Sequence, residues 1–203
     1  MGILRELFGP SREEIWRQLS AEIGADYVEG DFWKGDKVLA HHGQWTITLD
    51  NATEASGETS STCTRMRAPY VNKDGFRFTV YRKGFFSDLG KRLGMQDVDV
   101  GYPDFDEAFI IQGDDESKLR ALLANGRIRA LLQAQPSVYL TVKDDDGWFG
   151  ASFPDGVDEL YLLVGGGSKD MDRLKSLYDL FAETLHQLCH IGSAYEDDPN
   201  IVL

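Results

Sequence analysis

Cysteine is scarce in this chain. Only Cys63 and Cys189 occur among 203 residues. That excludes a disulfide framework and predicts two reduced, buried thiols in a cytoplasmic protein. Positive charge is scarce as well: 21 Lys and Arg stand against 34 Asp and Glu. The resulting net charge of −13 opposes phosphate backbones and anionic bilayers, which argues against nucleic acid and membrane partners. No apolar run approaches the roughly 18 residues of a membrane helix. The segment Met1–Glu6 is too short and mixed for a signal peptide, and Glu6 stands where a myristoylation signal needs Ser or Thr. Catalytic signatures are missing too. There is no Gly-x-Ser-x-Gly elbow and no P-loop, and Gln187 follows His186 where a zinc protease motif would have Glu. No catalytic residue and no cofactor is therefore assigned, and whether the chain is an enzyme stays open.

Apolar residues are plentiful. They make up 42% of the chain, with 4 Trp, 11 Phe and 8 Tyr, enough for a sizeable core. A single α+β domain over 1–203 is expected. Residues 1–9 would form a short amphipathic segment, and 195–203 a loose acidic tail.

The pattern is clearest at 101–123. A turn at Gly101 to Asp104 leads into the apolar run Ala108–Ile111. Gly113 then stops the run, and Asp114 or Asp115 can cap a helix. Upstream, Ser11-Arg12-Glu13-Glu14 reads as a capping box, and Gly24 as the stop of that helix. Trp45–Leu49 and Phe76–Tyr81 alternate as strands, with Thr62–Tyr70 between them, and the polar stretch Asn51–Ser61 reads as a mobile loop. A short helix is expected over Phe85–Leu93, and helices divided at Asn125-Gly126. Strands are expected at Val138–Val142, Trp148–Phe153 and Leu160–Val164, with a hairpin turn at Asp145-Asp146-Gly147.

Gly165-Gly166-Gly167 leads to Ser168, read as the cap of a long last helix. Its stripe is Leu174, Leu177, Tyr178, Phe181, Leu185 and Leu188. The expected fold class is α+β, with antiparallel sheet or sheets packed against helices and the long C-terminal helix across a sheet. The stretch Asp104-Phe105-Asp106-Glu107-Ala108-Phe109, then Gly113-Asp114-Asp115, then Leu122-Leu123, resembles a bacterial family of uncharacterised proteins, a domain of unknown function. The resemblance covers about 97–165. It implies a bacterial intracellular α+β domain and carries no activity or functional residue to this chain.

Candidate sites come from charge and histidine placement. From Arg65 to Arg92, eight Lys and Arg face only Asp74 and Asp88, whereas 93–117 holds eight acids and no base. One reading sets the acidic segment against the basic one. The functional reading turns Arg65, Arg67 and Arg77 outward to bind a small anionic ligand or an acidic protein partner. His186 and His190, four apart on the last helix, are weak metal candidates, and His41 and His42 point to opposite sides of a strand. No metal is assigned. The glycine-rich turn before Ser168 lacks phosphate-loop spacing, and Asp170 and Asp172 would repel an anion.

The function these patterns imply is that of a non-catalytic cytoplasmic binding protein of a bacterium. The alternative is an enzyme or small-molecule carrier with a pocket between the sheet and the C-terminal helix. The oligomeric state is not specified by the sequence.

Overall fold

In the computed structural model, the described residues are 9–31, 35–56, 59–84, 96–144, 153–201 and 203. Helix α1 (Arg12–Ile23) starts on the predicted capping box. Ser11 Oγ accepts from the Glu14 N–H at 3.1 Å, and a Glu14 carboxylate oxygen accepts from the Ser11 N–H at 2.9 Å. Gly24 ends it in the left-handed conformation at φ 67°, where a Cβ would be strained. Ile15, Trp16 and Leu19 are buried toward the core.

The chain then builds one sheet. Strands β1 (Asp26–Val28), β2 (Lys37–His42), β3 (Trp45–Ser56) and β4 (Thr59–Asn72) form a meander. After it come β5 (Phe78–Arg82), β6 (Gln96–Asp97), α2 (Pro103–Ala108), β7 (Phe109–Gly113), α3 (Glu116–Leu123) and α4 (Gly126–Gln133). Strands β8 (Tyr139–Lys143) and β9 (Val157–Gly165), the helix α5 (Met171–His190) and the short β10 (Ala194–Tyr195) complete the described elements. The strand order is β1-β2-β3-β4-β9-β8-β5-β7-β6, with β10 also on β4, and every pairing between these strands is antiparallel. The fold is thus α+β, as expected. Strand β4 joins the two halves, pairing β3 on one side and β9 on the other. Pro69, which has no N–H to give, falls beyond Arg67, where the β3 ladder stops.

Several expectations are corrected. The stretch Asn51–Ser61 is strand through most of its length: β3 and β4 stay in register from Thr48↔Arg67 out to Ser56↔Thr59. Alternating Thr, Ser and Ala lack apolar contrast, yet β-branched Thr suits a paired ladder. Pro103–Ala108 is a short helix rather than part of a turn. Asp106 stabilises it by accepting from the N–H groups of Val100, Gly101 and Tyr102. The N-cap of α5 is Asp170, which accepts from the Arg173 N–H at 3.1 Å. Ser168 is instead drawn to β4, its N–H donating to Thr64 Oγ1 at 2.9 Å. The tail is tied at its end, where Lys37 Nζ donates to the Leu203 carbonyl at 2.9 Å. The readings for residues 1–8, for Phe85–Leu93, for the Asp145-Asp146-Gly147 turn and for 148–152 of the strand that follows it lie outside the described residues.

The five described helices bury their apolar sides on one face of the sheet. Eight side chains of α5, from Leu174 to Leu188, are buried there, along a helix of 20 residues and about 30 Å. Phe76 stacks on Phe78 with centroids 5.7 Å apart, and Phe105 on Phe109 at 4.5 Å. Gly113 lets α3 approach this layer: a Cβ there would lie 2.6 Å from Leu119 Cδ1. The space between sheet and C-terminal helix is filled by one continuous core.

Candidate functional site

Side chains alternate across each strand, so the second face of the sheet carries the complementary set. Cys63 of β4, Tyr81 of β5, Tyr139 of β8, and Tyr161 and Leu163 of β9 form a buried cluster there, flanked by Ala52 and Ile110. Its described members are all strand residues. Thr79 and Thr141 bond to each other within this face at 2.8 Å.

Charges gather at the β3–β4 side of this face. Asp50 sits directly opposite Arg65 in the β3–β4 register. Arg65 Nε and Nη2 donate to the two carboxylate oxygens of Asp50, each at 2.7 Å. This is a bidentate fork, the strongest common geometry for such a pair. Arg67, two residues on and facing the same way, donates from Nη2 to Asp50 Oδ2 at 2.9 Å. Its Nη1 lies 3.9 Å from Glu159 of β9, whose side chain is wholly buried. Burying charge costs several kcal/mol per ion unless partners compensate, and here carboxylates and guanidiniums do so for one another. A recess of about 240 Å³ opens over this group, lined by Gly35, Asp36, Lys37, Asp50, Asn51, Arg65 and Arg67. Gly30 N–H donates to Asp36, which holds that carboxyl below its ordinary pKa.

The three predicted arginines are not one group. Arg65 and Arg67 share Asp50. Arg77 instead bonds Asp144 at 2.9 Å and Asp158 at 3.4 Å, beside Asn72. Burial pulls the Arg77 guanidinium down, but Asp158 and Asp144 outweigh it and its pKa ends above the ordinary value. Burial pushes the Asp158 carboxyl up, against Asn72 and Arg77. These partners lie outside the acidic segment 93–117. Within that segment Asp114 accepts from the Arg77 N–H and Asp115 from the Lys118 N–H, while Glu116 pairs with the Arg120 side chain.

Histidines meet where the sequence does not place them together. His186 Nε2 lies 2.7 Å from His42 Nε2, and His42 Nδ1 is 3.2 Å from the Tyr178 hydroxyl. The predicted companion, His190, borders a separate open recess of about 650 Å³ with Lys118, Asn125 and Gln187. Among the described residues, no three His, Cys, Asp or Glu side chains gather as a metal site. Both cysteines are free; Cys63 is buried, and Cys189 is half-buried with its thiol pKa raised by burial. No described helix is long and apolar enough to cross a membrane.

Sequence reasoning misses Asp50 and Glu159 as partners of the arginines. Asp50 has a signal: counting back from a hairpin that turns after Ser56 sets it against Arg65. Glu159 has none, because the β4–β9 pairing joins distant stretches of chain.

No family model matches this chain, and no curated protein matches it. Among solved structures, its fold is similar to the crystal structure of the mycobacterial trehalose monomycolate transport factor A, TtfA. The TM-score is 0.51 at 9% sequence identity, over 87% of this chain and 94% of that one.

Proposed function

We propose that this chain is a non-catalytic binding protein of the bacterial cytoplasm, and that its ligand is a small polar molecule held in the recess over Asp50. The observation that supports this reading is the clasp of two arginines on one carboxylate at the floor of an open recess. Apolar residues of similar volume would seal a sheet face at less cost than buried ions. Lys37, Arg65 and Arg67 are balanced by Asp36, Asp50 and Glu159, so the site presents donors and acceptors side by side. A ligand carrying both kinds of group fits this balance better than a bare anion. A small dianion would have to displace Asp50 from Arg65.

The test is calorimetric titration with a panel of zwitterionic amino acids, dicarboxylates and disaccharides, repeated with Arg65→Met and Lys37→Met. Saturating binding by one class, weakened at least tenfold in both variants, is the expected result. Binding that is not weakened in either variant, or failure of every class, would overturn the reading.

A second reading is that of a carrier for amphipathic cargo. Its support is the shared fold with a protein named for trehalose monomycolate transport. The cargo would not lie between sheet and C-terminal helix, because side chains fill that layer. Co-purification of a glycolipid with the native protein, detected by mass spectrometry, would favour this reading over the first.

A further inference from the structure

The turn between β2 and β3 is fastened to α5 by two imidazole rings. His42 closes β2, His186 sits in the last turns of α5, and their Nε2 atoms are 2.7 Å apart. Two nitrogens at that distance hold one proton between them. One ring donates and the other accepts. The Tyr178 hydroxyl at His42 Nδ1 fixes that ring from its far side. Trp45 packs edge-on to His186 with centroids 5.5 Å apart, so part of the contact is shielded from water.

We infer that His42 and His186 are a charge-sensitive latch between the β2–β3 turn and α5, closed while the pair carries no more than one positive charge and released when it takes up a second. A second positive charge would put two cations in contact with no acceptor between them.

The surroundings decide how far this goes. From α5, Tyr178 and Asp179 face His42. From the segment after β10, Glu196 does, its carboxylate lying where a side chain at position 43 would go. From β3 the neighbour is the uncharged Trp45. His41, on β2 itself, turns away to Thr46. Asp179 and Glu196 favour a charged His42, but burial and the facing His186 outweigh them, and the His42 pKa is lowered. Asp179 is also engaged by Arg127 at 3.0 Å.

A histidine whose pKa falls on folding takes up more protons when unfolded. Its contribution is therefore complete above the ordinary imidazole value, about 6.5, and is lost as pH drops through and below it. A metal fits this geometry less well. Two nitrogens on one tetrahedral ion, with bonds of about 2.0–2.1 Å, sit about 3.3 Å apart, and no third ligand converges among the described residues.

The experiment is a titration of the full chain from pH 8 to 5, following the histidine ring protons by NMR and backbone amide exchange at the end of α5. The expected result is two coupled steps for His42 and His186, the second well below the ordinary value. Amide exchange of residues 183–190, expressed relative to the intrinsic rate at each pH, should rise through that second step, by at most about tenfold per pH unit for one extra proton. His42→Gln and His186→Gln should flatten the rise, and His190→Gln should keep it. Independent titration of both rings near the ordinary value in the unaltered protein would overturn the latch, whether or not the variants fold. So would one equivalent of Zn²⁺ abolishing both steps and protecting the helix end, which would make the pair a metal site.

Discussion

On the helix side of the sheet, burial is achieved with Leu, Ile, Val, Phe and Trp that interlock with α1 to α5. On the opposite side, a buried cluster of tyrosines, a leucine and a thiol lies beside a group of charged side chains that borders an open recess. The first composition is what a core requires: non-directional, tolerant of small shifts, and worth about 1.5–3 kcal/mol for each large side chain removed from water. The second is costlier and directional. Arg67 and Glu159 are held in place because each offsets the other's desolvation, and Asp50 depends on a fork that only one register supplies. One face therefore carries the stability, whereas the other keeps polar groups that stability alone would not select.

Four variants would break or sharpen this contrast. The largest effect should come from Phe181→Ala, which opens a cavity between α5 and the sheet. Chemical denaturation should show a loss of about 3–5 kcal/mol. Next is Asp50→Ala, which removes the carboxylate that Arg65 and Arg67 share and should cost about 2–3 kcal/mol. The decisive comparison is the quadruple variant Asp50→Ala, Arg65→Met, Arg67→Met, Glu159→Leu, which removes the buried Glu159 together with its guanidinium partner. If the ions exist for recognition, this variant should regain most of that loss while ligand binding disappears. A quadruple variant less stable than Asp50→Ala would mean that the charges build the fold. The smallest effect concerns Asp158, a polar group at the helix-side margin. Its raised pKa means that the folded state favours the protonated form. Stability from this group is present below the ordinary carboxyl range and lost as pH rises through the raised value. Asp158→Asn should flatten the stability profile above the ordinary carboxyl value of about 3.9. An unchanged profile would show that Asn72 and Arg77 already offset the burial.

Helix boundaries are readable because they rest on neighbours in sequence. Ser11 with Glu14, Gly24, Asp115 and Asn125 each act within four residues, and the stripe of α5 repeats at the helical period. The long β3–β4 ribbon is hidden because its outer half is all Thr, Ser, Ala and acids, with no alternation of apolar and polar. Asp170 displaces Ser168 as a cap because Thr64, on a distant strand, engages Ser168. The histidine pair is beyond reach for the same reason, since 144 positions separate His42 from His186. The arginines are visible as a charge excess, but their division into two groups depends on which strand lies beside which.

Strand β4 has a consequence for synthesis. A ribosome releases the β1–β4 meander long before β9, the strand that completes its second ladder, has been made. During that interval the side of β4 that will meet β9 is an open template for any passing chain. Arg65, Asp50 and Arg67 stand beside that waiting strand and together leave one positive charge there, and charge on an unpaired edge discourages other strands from adding to it. The Asp50–Arg65–Arg67 clasp is made wholly from β3 and β4, so every residue of it precedes β9 in the chain.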